Sequence, residues 1–148
     1  MSNHPYKFPL VDLFAGPGGL GEGFSKLRNQ DGSSSFENIV SIEHDEFAHQ
    51  TLHLRHFLRS FPSGKFPSEY YQYLSGEIDK QILFESFPQN KSHADNSALK
   101  ISLGDENTEK VHQIISERLG RIPLWVLVGG PPCQAYSLVG RSRMKSNP

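Results

Sequence analysis

An α/β fold on a parallel sheet is the architecture this sequence predicts, and three observations predict it. The strand-like run Leu10 to Phe14 passes directly into a glycine-rich turn, Ala15-Gly16-Pro17-Gly18-Gly19-Leu20-Gly21, and then into apolar residues at helical spacing. A second strand-like run ends on an acid, Glu43, about 20–25 residues beyond the turn. A third apolar run, Leu124 to Val128, stops at Gly129-Gly130-Pro131-Pro132, directly ahead of Cys133, the chain's single cysteine. Strands alternating with helical stretches are the pattern of βαβ units, whose sheets are parallel.

Each element follows from local chemistry. Pro9 suits the start of the first strand, where a missing N–H costs least. Leu20, Phe24 and Leu27 recur at helical spacing, so the glycines open a helix. The second strand covers Phe36 to Glu43, with Ile39, Val40 and Ile42 in its middle. The next helix carries the stripe Phe47, Thr51, Leu54, Leu58 and Phe61, and Phe61-Pro62 with Gly64 stops it. Strand, glycine turn, helix and strand make half of a Rossmann-like binding unit. Glycine lets the backbone approach a ligand, and free amides at a helix start favour negative charge. An acid in the position of Glu43 can accept hydrogen bonds from two ribose hydroxyls. Gly16, Gly18 and Gly21 also satisfy G-x-G-x-x-G, so a nicotinamide dinucleotide is a competing ligand.

Between the two glycine segments the pattern is less specific. Pro67-Ser68-Glu69 opens a short helix with Tyr70, Tyr71, Tyr73 and Leu74, and a second runs from Glu77 to Phe87. Their aromatics suit core packing better than base stacking. Residues 62–98 thus read as a helical insertion, ending in a polar, turn-like loop from Gln89 to Asn96. Ile101-Ser102-Leu103 reads as a third, edge strand. Asp105 or Asn107 then introduces a helix with Val111, Ile114, Ile115 and Leu119, ended by Gly120. His49, His53 and His56 share one helical face, but no further ligands accompany them. A solvated or partly packed surface is expected there, and no metal site.

The loop around Cys133 is the most informative segment. Each proline fixes φ and removes a donor, so an apolar strand that reaches Pro131-Pro132 continues neither as sheet nor as helix. The thiol is therefore expected on a stiff loop at the carboxyl end of a strand, where open α/β sheets place their ligands. A buried core cysteine needs no such loop. One cysteine makes no internal disulfide, which fits a reducing cytoplasm or nucleus. The 148 residues are 36% hydrophobic with a formal net charge of −1, a globular composition without a global attraction for nucleic acid. No stretch approaches the roughly 20 apolar residues of a membrane helix. Arg141, Arg143 and Lys145 nevertheless crowd the last eight residues without an acid among them.

Asp12-Leu13-Phe14-Ala15-Gly16-Pro17-Gly18-Gly19 and Gly130-Pro131-Pro132-Cys133-Gln134 together resemble the first and fourth motifs of the DNA cytosine-5 methyltransferases, and Glu43 resembles the acid of the second. The resemblance spans roughly residues 8–60 and 121–145. Two departures occur: Ala135-Tyr136 stands where the family often has Gly-Phe, and His44 where some members place a large hydrophobic residue against the adenine. The resemblance implies a Rossmann-like methyltransferase fold and S-adenosyl-L-methionine as methyl donor. Phe14 and His44 would lie near the adenine, with Ala15, Gly16, Pro17, Gly18, Gly19 and Leu20 around the methionine moiety. Glu43 would bind the ribose, and Pro131 would border the donor. Asp105 is either the third-motif acid that contacts the adenine amino group or only a helix introducer.

Catalysis by resemblance falls to Cys133, whose thiolate would add to carbon 6 of a cytosine flipped out of double-stranded DNA. Gln134, Ser137, Arg141 and Arg143 would contact the DNA, although the arginines also suit an ordinary solvated basic tail and Ser137 the loop's own turn. Family members continue with further motifs and a target-recognition domain. The chain is therefore expected to hold the first half of the sheet with flanking helices, and to need a carboxy-terminal half as partner. A non-catalytic nucleotide-binding module and a dinucleotide-dependent oxidoreductase are the alternatives.

Overall fold

The computed structural model describes residues 6–62 and 64–132. Four strands form one parallel sheet: β1 (Phe8–Leu13), β2 (Phe36–Glu43), β3 (Ala98–Lys100) and β4 (Val126–Gly129). Their order is β3-β2-β1-β4. The chain moves outward from β1 to β2 to β3 and then returns to the opposite side of β1. The order therefore reverses between β1 and β4, which is where a ligand crevice forms in sheets of this kind.

Among the described residues six α-helices accompany the sheet: α1 (Gly19–Ser25), α2 (Glu46–Arg59), α3 (Ser68–Ser75), α4 (Lys80–Ser86), α5 (Pro88–Ser97) and α6 (Thr108–Leu119). Alternation along the strands sends successive side chains to opposite faces. Val11, Val40 and Ile42 face α6, packing on Val111, Ile114 and Ile115. Leu10 and Asp12 face the other way, where α1 and α2 lie, and Leu52 of α2 packs on Ala15 and Ala98. A separate cluster joins Phe57, Leu83, Phe84 and Ala94 from α2, α4 and α5. No described helix is long and apolar enough to cross a membrane.

Several sequence expectations need correction. The first helix ends at Ser25, short of Leu27. On α2 the buried residues are Leu52, His56 and Phe57, whereas Phe47, expected on the buried stripe, is 80% exposed. The polar segment expected as a loop at Gln89 to Asn96 is helix α5, which starts with Pro88 at a position where a proline lacks only an orphan N–H. The third strand is Ala98–Lys100 rather than Ile101 to Leu103. Ile101 still donates to the Glu43 carbonyl at 3.2 Å, and Ile101 and Leu103 turn into the core beside α6. The histidine face of α2 takes the partly packed form of the two expected: His49 reaches the Ala98 carbonyl, His53 pairs with Asp95, and His56 is buried.

Candidate functional site

Parallel pairing puts the carboxyl ends of all four strands at one edge, and the glycine turn, Glu43 and Gly129-Gly130 meet there. The turn has an unusual backbone. Phe14, Gly16 and Gly18 have φ of 54°, 56° and 89°, so left-handed residues alternate with ordinary ones. A bulky residue in that conformation costs on the order of 1–3 kcal/mol, and such strain concentrates at binding sites. The Ala15 N–H still donates to the Ile42 carbonyl at 3.0 Å, and the Gly18 N–H closes back on Ala15 at 2.9 Å. The turn is thus anchored to β2 while its outer side stays open, with no atom within 4 Å of where a Cβ would stand on Gly16 or Gly19.

Glu43 locks this arrangement. Its Oε2 accepts the Gly16 N–H at 2.8 Å, and Oε1 accepts the N–H groups of His44 and Asp45, each at 2.8 Å. Burial opposes the charge, but the three amides outweigh it and hold the carboxyl below its ordinary pKa. Glu43 is therefore an anion that fastens the turn to the start of α2, whose N-cap, Asp45, accepts from Ala48 at 2.8 Å. Oε2 carries one amide and keeps acceptor capacity for a ligand hydroxyl. His44 is largely exposed, its Nδ1 3.1 Å from Glu43 Oε1.

Two segments more than a hundred residues apart meet beside the turn. Leu13 pairs with Gly129. A Cβ on Gly129 would stand 2.3 Å from the Leu13 carbonyl oxygen, and one on Gly130 would stand 3.6 Å from that of Phe14. Glycine at 129 is what permits β4 to run this close to β1. Pro131 follows, exposed, at the same edge. On the α6 side of the switch point lies an apolar groove of about 570 Å³, bordered by Leu13, Phe14, Leu103, Gly104, Trp125 and Leu127. That is within the range of about 300–1,000 Å³ common for small-molecule clefts. Asp105 sits in a one-turn 3-10 segment (Asp105–Asn107) after Gly104, exposed, where the chain enters α6.

The structure thus brings Phe14, Ala15, Gly16, Pro17, Gly18, Gly19, Leu20, Glu43 and His44 to one edge, with Pro131 beside them. Cys133, Gln134, Ser137, Arg141 and Arg143 lie outside the described residues. Among those described, no group of acids and histidines is arranged to hold a metal ion.

A second set of polar residues under the turn was not read from the sequence. Asp12 is fully buried and neither of its oxygens has a hydrogen-bond partner among the described residues. Burial raises its pKa against the opposing influence of the Gly21 amide and the Arg59 charge. Arg59, at the end of α2, lies 3.5 Å from Glu22 of α1, and burial lowers its pKa. With the Asn38 carbonyl turned toward it, Arg59 Nη1 donates to Asn38 at 3.2 Å, and Asn38 donates to Ser41 Oγ at 3.2 Å. His56 completes the seam, 3.0 Å from Ser41 Oγ and 2.7 Å from Ser97 Oγ. Ser97 spends its hydroxyl proton on the His93 carbonyl, so Nδ1 of His56 must donate and Nε2 must accept from Ser41. The neutral ring is fully satisfied, and burial, then the Arg59 charge, brings its pKa down to about 2. A polar residue inside a strand, such as Asp12 in Leu10-Val11-Asp12-Leu13, was the available signal.

Comparison with known proteins gives one informative relationship. The chain is 30% identical over 155 aligned positions to the type II methyltransferase M.Bpa9945I of Bacillus paralicheniformis. The alignment covers 93% of this chain and 33% of that protein, so the chain spans about a third of the length of the curated relative it matches. No protein-family model matches the chain. No solved structure matches it either.

Proposed function

We propose that this chain forms the donor-binding and nucleophile-bearing part of a DNA cytosine-5 methyltransferase that uses S-adenosyl-L-methionine. The observation that carries the reading is the meeting of β1 and β4: the strained glycine turn lies beside Gly129-Gly130, the segment that leads to Cys133. Similarity to a methyltransferase along almost the whole chain supports it.

The residues present fit such a donor. The open sides of Gly16 and Gly19 leave room for a ligand against backbone, Glu43 keeps an acceptor for a ribose hydroxyl, and Phe14 edges an apolar groove suited to a flat base. Bound there, S-adenosyl-L-methionine supplies an electrophilic sulfonium methyl. The chain's own contribution is nucleophilic. The Cys133 thiolate adds to carbon 6 of the cytosine, which makes carbon 5 able to take the methyl. Carbon 5 then loses its proton to a base, and the thiolate leaves to restore the ring. Attack on a base inside a duplex requires flipping, and Gln134, Ser137, Arg141 and Arg143 are assigned to the flanking DNA.

Mixing a full-length protein that contains this chain with S-adenosyl-L-methionine and duplex DNA containing 5-fluorocytosine tests the scheme, because fluorine blocks loss from carbon 5. A denaturant-resistant protein–DNA complex should form, and Cys133→Ala should abolish it. Methylation by the alanine variant would overturn the mechanism. Calorimetry with NAD in place of S-adenosyl-L-methionine should show no binding, which separates this reading from an oxidoreductase.

A further inference from the structure

The geometry points to Arg59, acting with Asp12, as a positioning residue that holds the glycine turn in its donor-receiving shape. This rests on the donor-site reading above and adds a residue outside every motif that suggested it. Helix α2 runs under the whole turn. Just before α2, Glu43 holds the Gly16 amide. In its middle, Leu52 Cδ1 stands 2.8 Å from where a Cβ on Gly18 would be. At its end, Arg59 pairs with Glu22 in α1, and its Nη2 lies 3.7 Å from that same Gly18 position.

Gly21 is the point of convergence. A Cβ there would stand 2.6 Å from the Asn38 carboxamide, 3.3 Å from Asp12 Oδ2 and 3.5 Å from Arg59 Nη1. The first turn of α1 therefore sits between a buried carboxyl and a buried guanidinium, with the Asn38 carboxamide nearest, so a side chain at Gly21 would have to push these groups aside. Among the described residues neither Asp12 oxygen has a hydrogen-bond partner, and Arg59 Nη2 has none, while its Nε makes only the 3.5 Å ion pair to Glu22. Buried charges placed this way are poor stabilisers of a fold and are often replaced by apolar residues without loss. Their worth here is directional: the attraction between β1 and the end of α2 passes through Gly21 and clamps α1, whose start is the glycine turn.

The test compares Arg59→Met, Arg59→Lys and the double variant Asp12→Asn/Arg59→Met with the unmodified protein. Three readouts are taken: the Kd for S-adenosyl-L-methionine, thermal stability, and amide hydrogen exchange of residues 16–21. Arg59→Met should weaken donor binding about tenfold or more, and Arg59→Lys should recover part of the loss. In the double variant no lone carboxylate is stranded, so thermal stability should return while donor affinity stays low. Exchange at residues 16–21 should quicken at least tenfold in both methionine variants, with β2 and α6 unchanged. Recovery of affinity together with stability in the double variant would make the pair merely structural and overturn the inference, as would unchanged exchange in the turn. If the unmodified protein fails to bind the donor but the exchange pattern appears, the donor reading falls and the clamp stands.

Discussion

Replacing Glu43 by glutamine removes one of two oxygens that together receive three backbone amides, each at 2.8 Å. A glutamine carbonyl can serve the His44 and Asp45 amides, but its NH2 group then faces the Gly16 N–H, donor against donor. Glu43 is only 7% exposed and Gly16 is half-buried, so the orphaned Gly16 amide is only partly open to water. An unsatisfied buried donor costs about 1–3 kcal/mol, and the surviving bonds lose their charge assistance. The expected destabilisation at pH 7 is about 2–4 kcal/mol, or roughly 5–15 °C in Tm for a chain of this size. Acid should narrow the difference. The folded-state pKa lies below the unfolded one, so the contribution is complete above about pH 4.3 and is lost as pH falls through the folded value. Denaturant unfolding of both proteins at pH 7 and at pH 3.5 measures it, with donor binding at pH 7 expected to weaken in parallel. Equal stability at pH 7, or a gap as wide in acid as at neutrality, would refute the claim that this carboxylate locks the turn.

Other consequences are equally specific. His56 is neutral when folded and its pKa is about 2, so stability should fall as pH drops below about 6.5, by about 2 kcal/mol at pH 5. His56→Gln, which can still donate to Ser97 and accept from Ser41, should lack that part of the slope, and parallel pH–stability curves would contradict the assignment. Gly129→Ala places a Cβ 2.3 Å from the Leu13 carbonyl oxygen, a backbone atom that cannot swing away. It should cost about 1–3 kcal/mol or more, read from the denaturant midpoint, and should reduce methyl transfer further by shifting the approach to Cys133. An alanine variant with unchanged stability would mean that β4 lies farther from β1.

What the sequence disclosed depended on whether local chemistry or tertiary contact decides each element. Strand β2 runs from Phe36 to Glu43, the span its apolar middle and terminal acid indicate, because both ends are locally marked. Helix α2 was legible as a helix but not in its orientation. A pattern of apolar residues passes over His56, since a histidine counts as buried only once Ser41 and Ser97 are in place to satisfy it. Helix α5 has almost no apolar periodicity; Ala94 and Ser97 are buried because they fit against α2, which no local reading contains. Strand β3 is three residues long and is fixed by pairing with Ser41, Ile42 and Glu43, while the apolar Ile101 and Leu103 beside it turn toward α6. The meeting of the glycine turn with Glu43 was legible, because both are marked locally. The clamp of Asp12 and Arg59 was not, for its members are 47 residues apart in sequence.

The two faces of the sheet differ in kind. On one, Val11, Val40 and Ile42 meet Val111 in a dry core. On the other, Asp12, Ser41 and Glu43 are buried with His56, and Asn38 and Arg59 lie beside them. An apolar face on both sides would satisfy a parallel sheet and would avoid the desolvation of Asp12 and Arg59. The polar face costs stability, and its unpaired groups lie under the glycine turn. Phe14 is also the one non-glycine among the described residues with positive φ. Strain at Phe14, the buried Asp12 carboxyl without a hydrogen-bond partner among the described residues, and backbone contact too close for a side chain at Gly129 all lie at the carboxyl end of β1. Local departures from what best stabilises a fold gather where function is built, and that coincidence supports the proposed donor site at the β1–β4 switch point.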